Sequence, residues 1–426
     1  MRPIAGAITA ASCALLGPAA TAADGDFWDF SEKWRFDSGF LYYGETDRVS
    51  AVEGVFSATR EADVNDIFNF KVVLDSLTGA SPSGAVAQPG VQTFTRPSGR
   101  GQYDVMAGDI PLDDTFRDTR LQMNAQWTKP AWQDVTSSYG VHFSKEYDYL
   151  SLGLNGSLAF DFNQKNSTFS AGLSYASDTY EPEGGIPLAF AEMVIDQGQP
   201  DFQTEFDATR IDSSDTRTTT DLLLGWTQII NRTTIMQLNY SYSNVDGYLT
   251  DPFKIFSVVD GNGVSLEQRY EKRPDSRTKH SVFAQVKHHF DESVADVSLR
   301  LMTDDWEIDS TTVEYKHYFW LSDNHYIEPQ FRFYQQSAAE FYKPYWQSSE
   351  PLPEYASADI RLGAFSAYTI GLKYGWKTAG GNDMAVRLSY YQQVADDEIG
   401  VHPGVLNDLE IYPDLDAVFL QVTYSF

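Results

Sequence analysis

Asp416-Ala417-Val418-Phe419-Leu420-Gln421-Val422-Thr423-Tyr424-Ser425-Phe426 alternates on a two-residue period. Val418, Leu420, Val422, Tyr424 and Phe426 fall on one face, while Thr423 and Ser425 lead the other. Successive side chains of a strand point to opposite sides, so the pattern describes a strand with one apolar and one polar face. The stretch stops on an aromatic with no polar residues after it. That ending fits the closing strand of a membrane β-barrel. Leu420, Val422, Tyr424 and Phe426 are then the face that barrel-insertion machinery would read.

Working back from this strand, the same period recurs. Arg120, Gln122, Asn124 and Gln126 alternate with Leu121, Met123, Ala125 and Trp127. Leu150, Leu152 and Leu154 alternate with Ser151, Gly153 and Asn155, and Ile327, Phe331 and Phe333 with Glu328, Gln330 and Arg332. The sequence predicts strands at 33–44, 49–60, 67–77, 116–128, 135–145, 149–162, 167–177, 216–229, 234–246, 278–290, 294–304, 311–320, 324–337, 365–376, 383–394 and 415–426. Without 49–60 the count is odd, which bacterial single-chain barrels avoid. Sixteen is therefore the expected number, with fourteen and eighteen as its even neighbours.

The connections alternate as well. Those at 377–382, 321–323, 291–293, 230–233, 163–166, 129–134 and 61–66 are short. In the intervening set, 395–414, 338–364, 247–277, 178–215 and 78–115 are long, while 305–310, 146–148 and 45–48 are short. Short periplasmic turns on one rim and long external loops on the other are the pattern of an outer-membrane barrel. Loops 178–215 and 395–414 are heavily acidic, and solvated, mutually repelling loops are the expectation for them. They show no D-x-[DN]-x-[DN]-G calcium loop.

The first residues read as an export signal. Arg2 precedes an apolar stretch from Ile4 to Leu16, then Gly17-Pro18, and Ala20-Thr21-Ala22 offers a small-x-small cleavage site. This assigns 1–22 to a cleaved signal peptide, 23–32 to a short periplasmic segment and 33–426 to the barrel, with no plug domain before the first strand. Cys13 is the only cysteine and lies within the signal. Ala10, three places before it, does not suit a lipidation site. The mature chain thus has no disulfide or thiolate chemistry. The net charge of −29 argues against nucleic acid, whose binding rests on Lys and Arg. Aromatics at 14% suit the interfacial girdles of a barrel.

Several segments carry a family resemblance. They include Leu74-Asp75-Ser76-Leu77-Thr78-Gly79-Ala80-Ser81-Pro82, Gly247-Tyr248-Leu249-Thr250-Asp251-Pro252 and Tyr270-Glu271-Lys272-Arg273-Pro274-Asp275-Ser276-Arg277-Thr278. Asn163-Gln164-Lys165-Asn166, Asp304-Asp305-Trp306-Glu307-Ile308-Asp309-Ser310 and Pro353-Glu354-Tyr355-Ala356-Ser357-Ala358-Asp359 complete the set. Together they resemble a domain-of-unknown-function family of bacterial proteins predicted to be outer-membrane barrels. The resemblance implies that fold over nearly the whole mature chain, and it brings no reaction and no catalytic residues. The family's genes often sit near a small lipoprotein, a thioredoxin-like protein and a flavin transferase. This implies a place beside an extracytoplasmic redox system.

Few residues suggest chemistry. Arg273 and Arg277 flank Asp275 at one mouth, with Asp304 and Asp305 nearby, and guanidinium groups fork readily onto carboxylates. The plain reading is a loop-packing network, and the sharper one is a constriction that selects anions or clamps a partner. His142 and Ser144 share a strand face with Asn155 on the next, a phospholipase-like set. However, Lys145-Glu146 follows the serine, and Asn155 lies too deep. His288, His289, His317 and His325 gather near one rim, but alternation puts His289 and His317 on opposite face types, against a shared metal. There is no Gly-rich phosphate loop, H-E-x-x-H or G-x-S-x-G. The expectation is therefore a barrel without catalytic, cofactor or metal residues, embedded in outer-membrane lipid and lipopolysaccharide. Its reading is a porin-like channel with a cation-favouring mouth. The alternatives are a sheath for a flavin- or haem-linked electron-transfer partner, such as a small lipoprotein or periplasmic redox protein, and a surface binder acting through its loops.

Overall fold

The structure is a computed structural model and describes residues 34–426 except 197, 199 and 398. The expected signal peptide at 1–22, with Cys13, and the expected periplasmic segment 23–32 lie outside the described residues. In chain order the described strands are β1 (Trp34–Glu45), β2 (Val49–Asp63), β3 (Asp66–Pro82), β4 (Gln92–Thr95), β5 (Gln102–Val105), β6 (Leu112–Trp132), β7 (Val135–Lys145), β8 (Tyr149–Phe162), β9 (Ser167–Tyr180), β10 (Ile186–Pro187), β11 (Arg210–Asp212) and β12 (Asp215–Asn231). They continue as β13 (Thr234–Gly247), β14 (Ile255–Val259), β15 (Ser265–Tyr270), β16 (Ser276–His289), β17 (Ser293–Asp304), β18 (Asp309–Ser322), β19 (His325–Gln336), β20 (Tyr345–Gln347), β21 (Phe365–Lys377), β22 (Asp383–Ala395) and β23 (Leu415–Ser425). One short helix, α1 (Phe202–Ala208), precedes β11.

Sixteen of these strands close a barrel in the order β1-β2-β3-β6-β7-β8-β9-β12-β13-β16-β17-β18-β19-β21-β22-β23, each wall strand antiparallel to its neighbours. They are the sixteen segments expected from the alternation, including 49–60 as β2. The seam joins β23 to β1, pairing Leu420 with Tyr42, Val422 with Phe40 and Tyr424 with Ser38. Phe426 and Phe36 exchange both backbone hydrogen bonds, at 2.8 and 2.9 Å. Closure leaves the wall no free edge, which a lipid environment requires of any sheet.

Connections between wall strands at 64–65, 133–134, 163–166, 232–233, 290–292, 323–324 and 378–382 are short and lie on one rim. Asn65 and Asp134 take positive φ in the two-residue turns, as tight hairpins demand. The other rim carries long connections at 83–111, 181–214, 248–275, 337–364 and 396–414.

Two wall strands overrun the predicted segments furthest. β3 runs on to Pro82, and β6 starts at Leu112 and ends at Trp132. The polar Gly-Ala-Ser-Pro stretch reads locally as turn chemistry. Past a bulge at Gly79, however, Ser81 still pairs with Asp113 and Pro82 with Leu112, so the ribbon projects above the wall. Gly79 has φ 136°, and a Cβ there would lie 2.3 Å from the Arg48 carbonyl oxygen. That carbonyl accepts the Ala80 N–H at 3.3 Å. Gly79→Val should cost about 1–3 kcal/mol, the usual scale of backbone strain. Urea unfolding of the reconstituted barrel would read it as a lowered midpoint.

The long loops depart from expectation more strongly. They form a packed cap with its own sheets: β4-β5, β10-β11 and β15-β14-β20, where β14 and β20 run parallel. Phe256, Val258, Trp346, Ala356 and Ala358 make one buried cluster joining two loops. Val86, Val259, Tyr345 and Leu406 join four. Burying a large apolar side chain contributes about 1.5–3 kcal/mol, so these clusters offset the repulsion that the acidic composition implies. The composition of each loop alone hides this, because every cluster draws on residues distant in sequence.

Candidate functional site

The wall has two chemically distinct faces. Outward positions carry an aliphatic belt that includes Leu74, Leu154, Leu173, Leu299, Ile370 and Leu388, all exposed. Toward the short-turn rim it is edged by Trp127, Phe160, Phe169, Trp226, Tyr374 and Phe426. Toward the loop rim it is edged by Tyr42, Tyr368 and Tyr390. An apolar band between two aromatic girdles is the exterior of a membrane barrel.

Inward positions are polar, and the lumen has two unlike walls. On β7, β8, β9, β12 and β13 the inward residues include Gly140, Gly153, Asn155, Ser174, Gly225 and Ser241, small and uncharged. On β16 to β22 they are charged. Asp296 is bound by Gln285 at 2.7 Å and Lys287 at 3.3 Å. Glu314 is bound by Lys316 at 2.8 Å and Gln330 at 2.5 Å, and Glu328 pairs with Arg387. Asn155, Arg300 and Arg332 are exposed within the lumen, and the inward Leu223 is 47% exposed. Water therefore reaches the interior.

Near the loop rim the inward positions close up around ion pairs. Arg120 lies 2.6 Å from Asp75 and 3.9 Å from Glu53, which is 1% exposed. Arg217 pairs with Asp178 at 2.5 Å. Above them the cap holds a buried network of both signs. Arg273 lies 2.6 Å from Glu271 and 2.7 Å from Asp359. Arg361 pairs with Asp359 and lies 2.6 Å from Asp251. Lys254 donates to Ser81 Oγ at 3.1 Å and to the Pro82 carbonyl, tying the network to the projecting ribbon. Burial raises the Glu271 carboxyl above its ordinary value against the pull of Arg273. Burial would also raise Asp359, yet Arg361, Arg273 and Lys254 hold it well below the usual carboxylate range. Burial lowers Lys254. Opposite charges packed this way hold one geometry and tolerate the loss of no single member.

The five mouth residues predicted from sequence divide into separate groups. Arg277 Nε donates to Asp304 at 2.8 Å, with its guanidinium 4.3 Å over Trp306. Asp304 also accepts the N–H groups of Trp306 and Ile308 at 3.0 Å each. Asp305 accepts the Thr278 N–H at 2.9 Å in the same rim cluster. Arg273 belongs instead to the cap network. Asp275 contributes its carbonyl to the Gly247 N–H at 2.8 Å. Glu271 and Asp359 lie within stretches singled out by resemblance, but nothing local signals their pairing with Arg273.

The remaining candidates take ordinary partners. His142 Nδ1 meets Asn124 at 2.8 Å, its cross-strand neighbour on β8 is Gly153, and Asn155 stands opposite Gly140. His288 meets Thr234, His317 meets Tyr315 and His325 meets Tyr374, while His289 lies against Trp320. The four imidazoles thus take different polar or aromatic partners, although the Phe290 ring lies against both His288 and His317. Asp118, Glu146 and Asp148 bring carboxylate oxygens within 4.8 Å of one another at the 146–148 turn. Asp118 there accepts the N–H groups of Thr119 and Tyr147. Leu420, Val422, Tyr424 and Phe426 lie on the outward face of the closing strand.

Comparison with known proteins gives one family and a set of distant structures. A family model described as "Protein of unknown function (DUF3570)" matches residues 5–426. No curated protein matches the sequence. Among solved structures, a bacterial polysaccharide outer membrane secretin is 9% identical with a TM-score of 0.44, covering 93% of this chain and 100% of that one. The Pseudomonas putida toluene transporter TodX is 9% identical with a TM-score of 0.40, covering 92% and 90%. The Acinetobacter baumannii siderophore receptor PirA is 8% identical with a TM-score of 0.41, covering 88% of this chain and 54% of that one.

Proposed function

The chain belongs to the family of proteins of unknown function whose model spans residues 5–426, and from that premise we propose that it is a porin-like conduit of the bacterial outer membrane. The observation that carries this reading is the pairing of a closed sixteen-stranded wall with a lumen whose side chains water reaches. A barrel of sixteen strands is wide enough to leave an aqueous channel. The apolar belt and its girdles support insertion in lipid, with the short turns in the periplasm and the cap outside. The cap makes the conduit a narrowed one, whose outer mouth is set by packed loops rather than by the full width of the barrel.

The mature barrel, purified from outer membranes in mild detergent and added to planar bilayers, should give stable conductance that does not require a partner. Heat-modifiable migration on gels checks that the protein is folded. A folded protein that leaves the bilayer silent sinks the conduit reading. A flavin or haem band with a stoichiometric partner in that silent sample would replace it with the sheath. Retained conductance with a surface ligand lost on loop deletion would add a binding role.

A further inference from the structure

The charged wall of the lumen holds more cations than its carboxylates can occupy. Asp296, Asp304, Glu314 and Glu328 are each engaged by a cation. Lys279, Arg300, Arg332 and Lys373 remain, and among the described residues none of the four makes an ion pair. Arg300 lies 5.7 Å from the Phe283 ring and Lys373 lies 5.6 Å from Tyr326, while Lys279, Arg332 and Lys373 stand cross-strand from Asp304, Glu314 and Glu328, carboxylates already held by other cations.

The register of the wall sets these four in a line. Phe283, four residues below Lys279 on β16, stands opposite Arg300. Arg300 stands opposite Thr312, and Glu314, two residues further along β18, stands opposite Arg332. Arg332 stands opposite Thr369, and Lys373 lies four residues further along β21. Measured along the strands, the steps are about 13, 7 and 13 Å at ~3.3 Å per residue, all in the direction from cap to short-turn rim. Across the lumen β7 to β13 set small residues such as Gly140, Gly153, Asn155 and Gly225, which leave room, and the one inward arginine named there, Arg217, is already paired with Asp178. Unpaired charges of one sign along a low-dielectric wall focus the field and concentrate counter-ions beside them.

We infer that this staircase of Lys279, Arg300, Arg332 and Lys373 is a binding track for small organic anions, solutes bearing carboxylates or phosphates that pass along the lumen. The inference rests on the conduit reading and names its substrate class. It runs against the overall charge of −29, because the excess acid lies elsewhere in the chain than on this wall. It also replaces the cation-favouring mouth with an anion-favouring interior.

The test compares the wild-type channel with the K279Q/R300Q/R332Q/K373Q variant in a potassium chloride gradient, with citrate as the probe anion. Neutralising four unpaired cations should raise the potassium-to-chloride permeability ratio roughly fivefold to tenfold, within the range of field-focusing effects. Millimolar citrate should reduce wild-type conductance and leave the variant unaffected. Should the fourfold variant fail to fold, Arg300→Gln and Arg332→Gln singly replace exposed, unpaired side chains and should each give part of the shift. A conducting wild-type channel that ignores citrate, with the same reversal potential in folded variants, overturns the track and leaves the conduit standing. A silent bilayer with folded protein fails the conduit itself, and the track with it.

Discussion

Arg273→Ala should open the cap while leaving the barrel closed. The guanidinium is 8% exposed and lies between Glu271 and Asp359, both essentially buried. Its removal leaves two carboxylates short of a counter-charge in a place water does not reach. Breaking a buried pair by deleting one partner costs about 3–5 kcal/mol, which exceeds what one of the cap's small apolar clusters can offset. The wall strands keep their own ladders, so the damage should stay above the rim. Limited proteolysis should cut within 83–111, 248–275 or 337–364 in the variant and not in the wild type. Heat-modifiable migration should be unchanged, and single-channel conductance should rise as the mouth widens. If the loops stay protected and conductance stays constant, the network does not hold the cap. Acid should act on the same network in two stages of opposite sign. As pH falls, Glu271, raised by burial, takes a proton early, which favours the folded cap. Asp359, held low, contributes stability that is present above about pH 4 and disappears as pH falls through its depressed value.

Arg120→Ala should cost the wall as much. Asp75 and Glu53 face the lumen on neighbouring strands, and Arg120 is the cation that bridges them. Without it, two carboxylates stand side by side with Glu53 almost wholly buried, again a loss of about 3–5 kcal/mol. The charge-balanced triple variant R120A/E53Q/D75N should recover most of that loss, because hydrogen-bonding amides then replace the stranded charges. The measurement is the urea midpoint of refolded barrel in lipid vesicles. Equal destabilisation in the single and triple variants would mean that Arg120 acts through packing alone.

How much of this was legible in the sequence depends on the range of the interactions. Each wall strand announces itself within a dozen residues, since alternation such as Arg120 to Trp127 is local and strand pairing follows chain order. The polar faces were legible too, and Arg332 sits among them beside Glu328 and Gln330. What alternation does not reveal is which inward cations find a carboxylate. That depends on register between strands, as when Arg332 stands opposite Glu314 while Lys316 and Gln330 take the carboxylate. The cap was the least legible part. Arg273 and Asp359 are 86 residues apart, and Arg361 and Asp251 are 110 apart. The apolar residues of the loops are too scattered to show a period, and only packing across loops turns them into a core. The same holds for the projecting ribbon of β3 and β6, where turn-forming residues are kept in a ladder by their neighbours.

The seam between β1 and β23 has a kinetic consequence. Every other wall pairing joins consecutive wall strands, directly or across one cap loop, but Ser38 and Tyr424 are separated by 386 residues. Contacts of such high order pay their loop-closure entropy before any bond rewards them, so ring closure should be the slow event of assembly. Until it happens the nascent sheet has two bare edges, one ending at Phe36 and one at Phe426. Bare edges accept any strand of matching pattern. A second unfinished chain offers the same two edges, so crowding should divert slow closers into intertwined dimers, and a helper that holds both edges should act at this step.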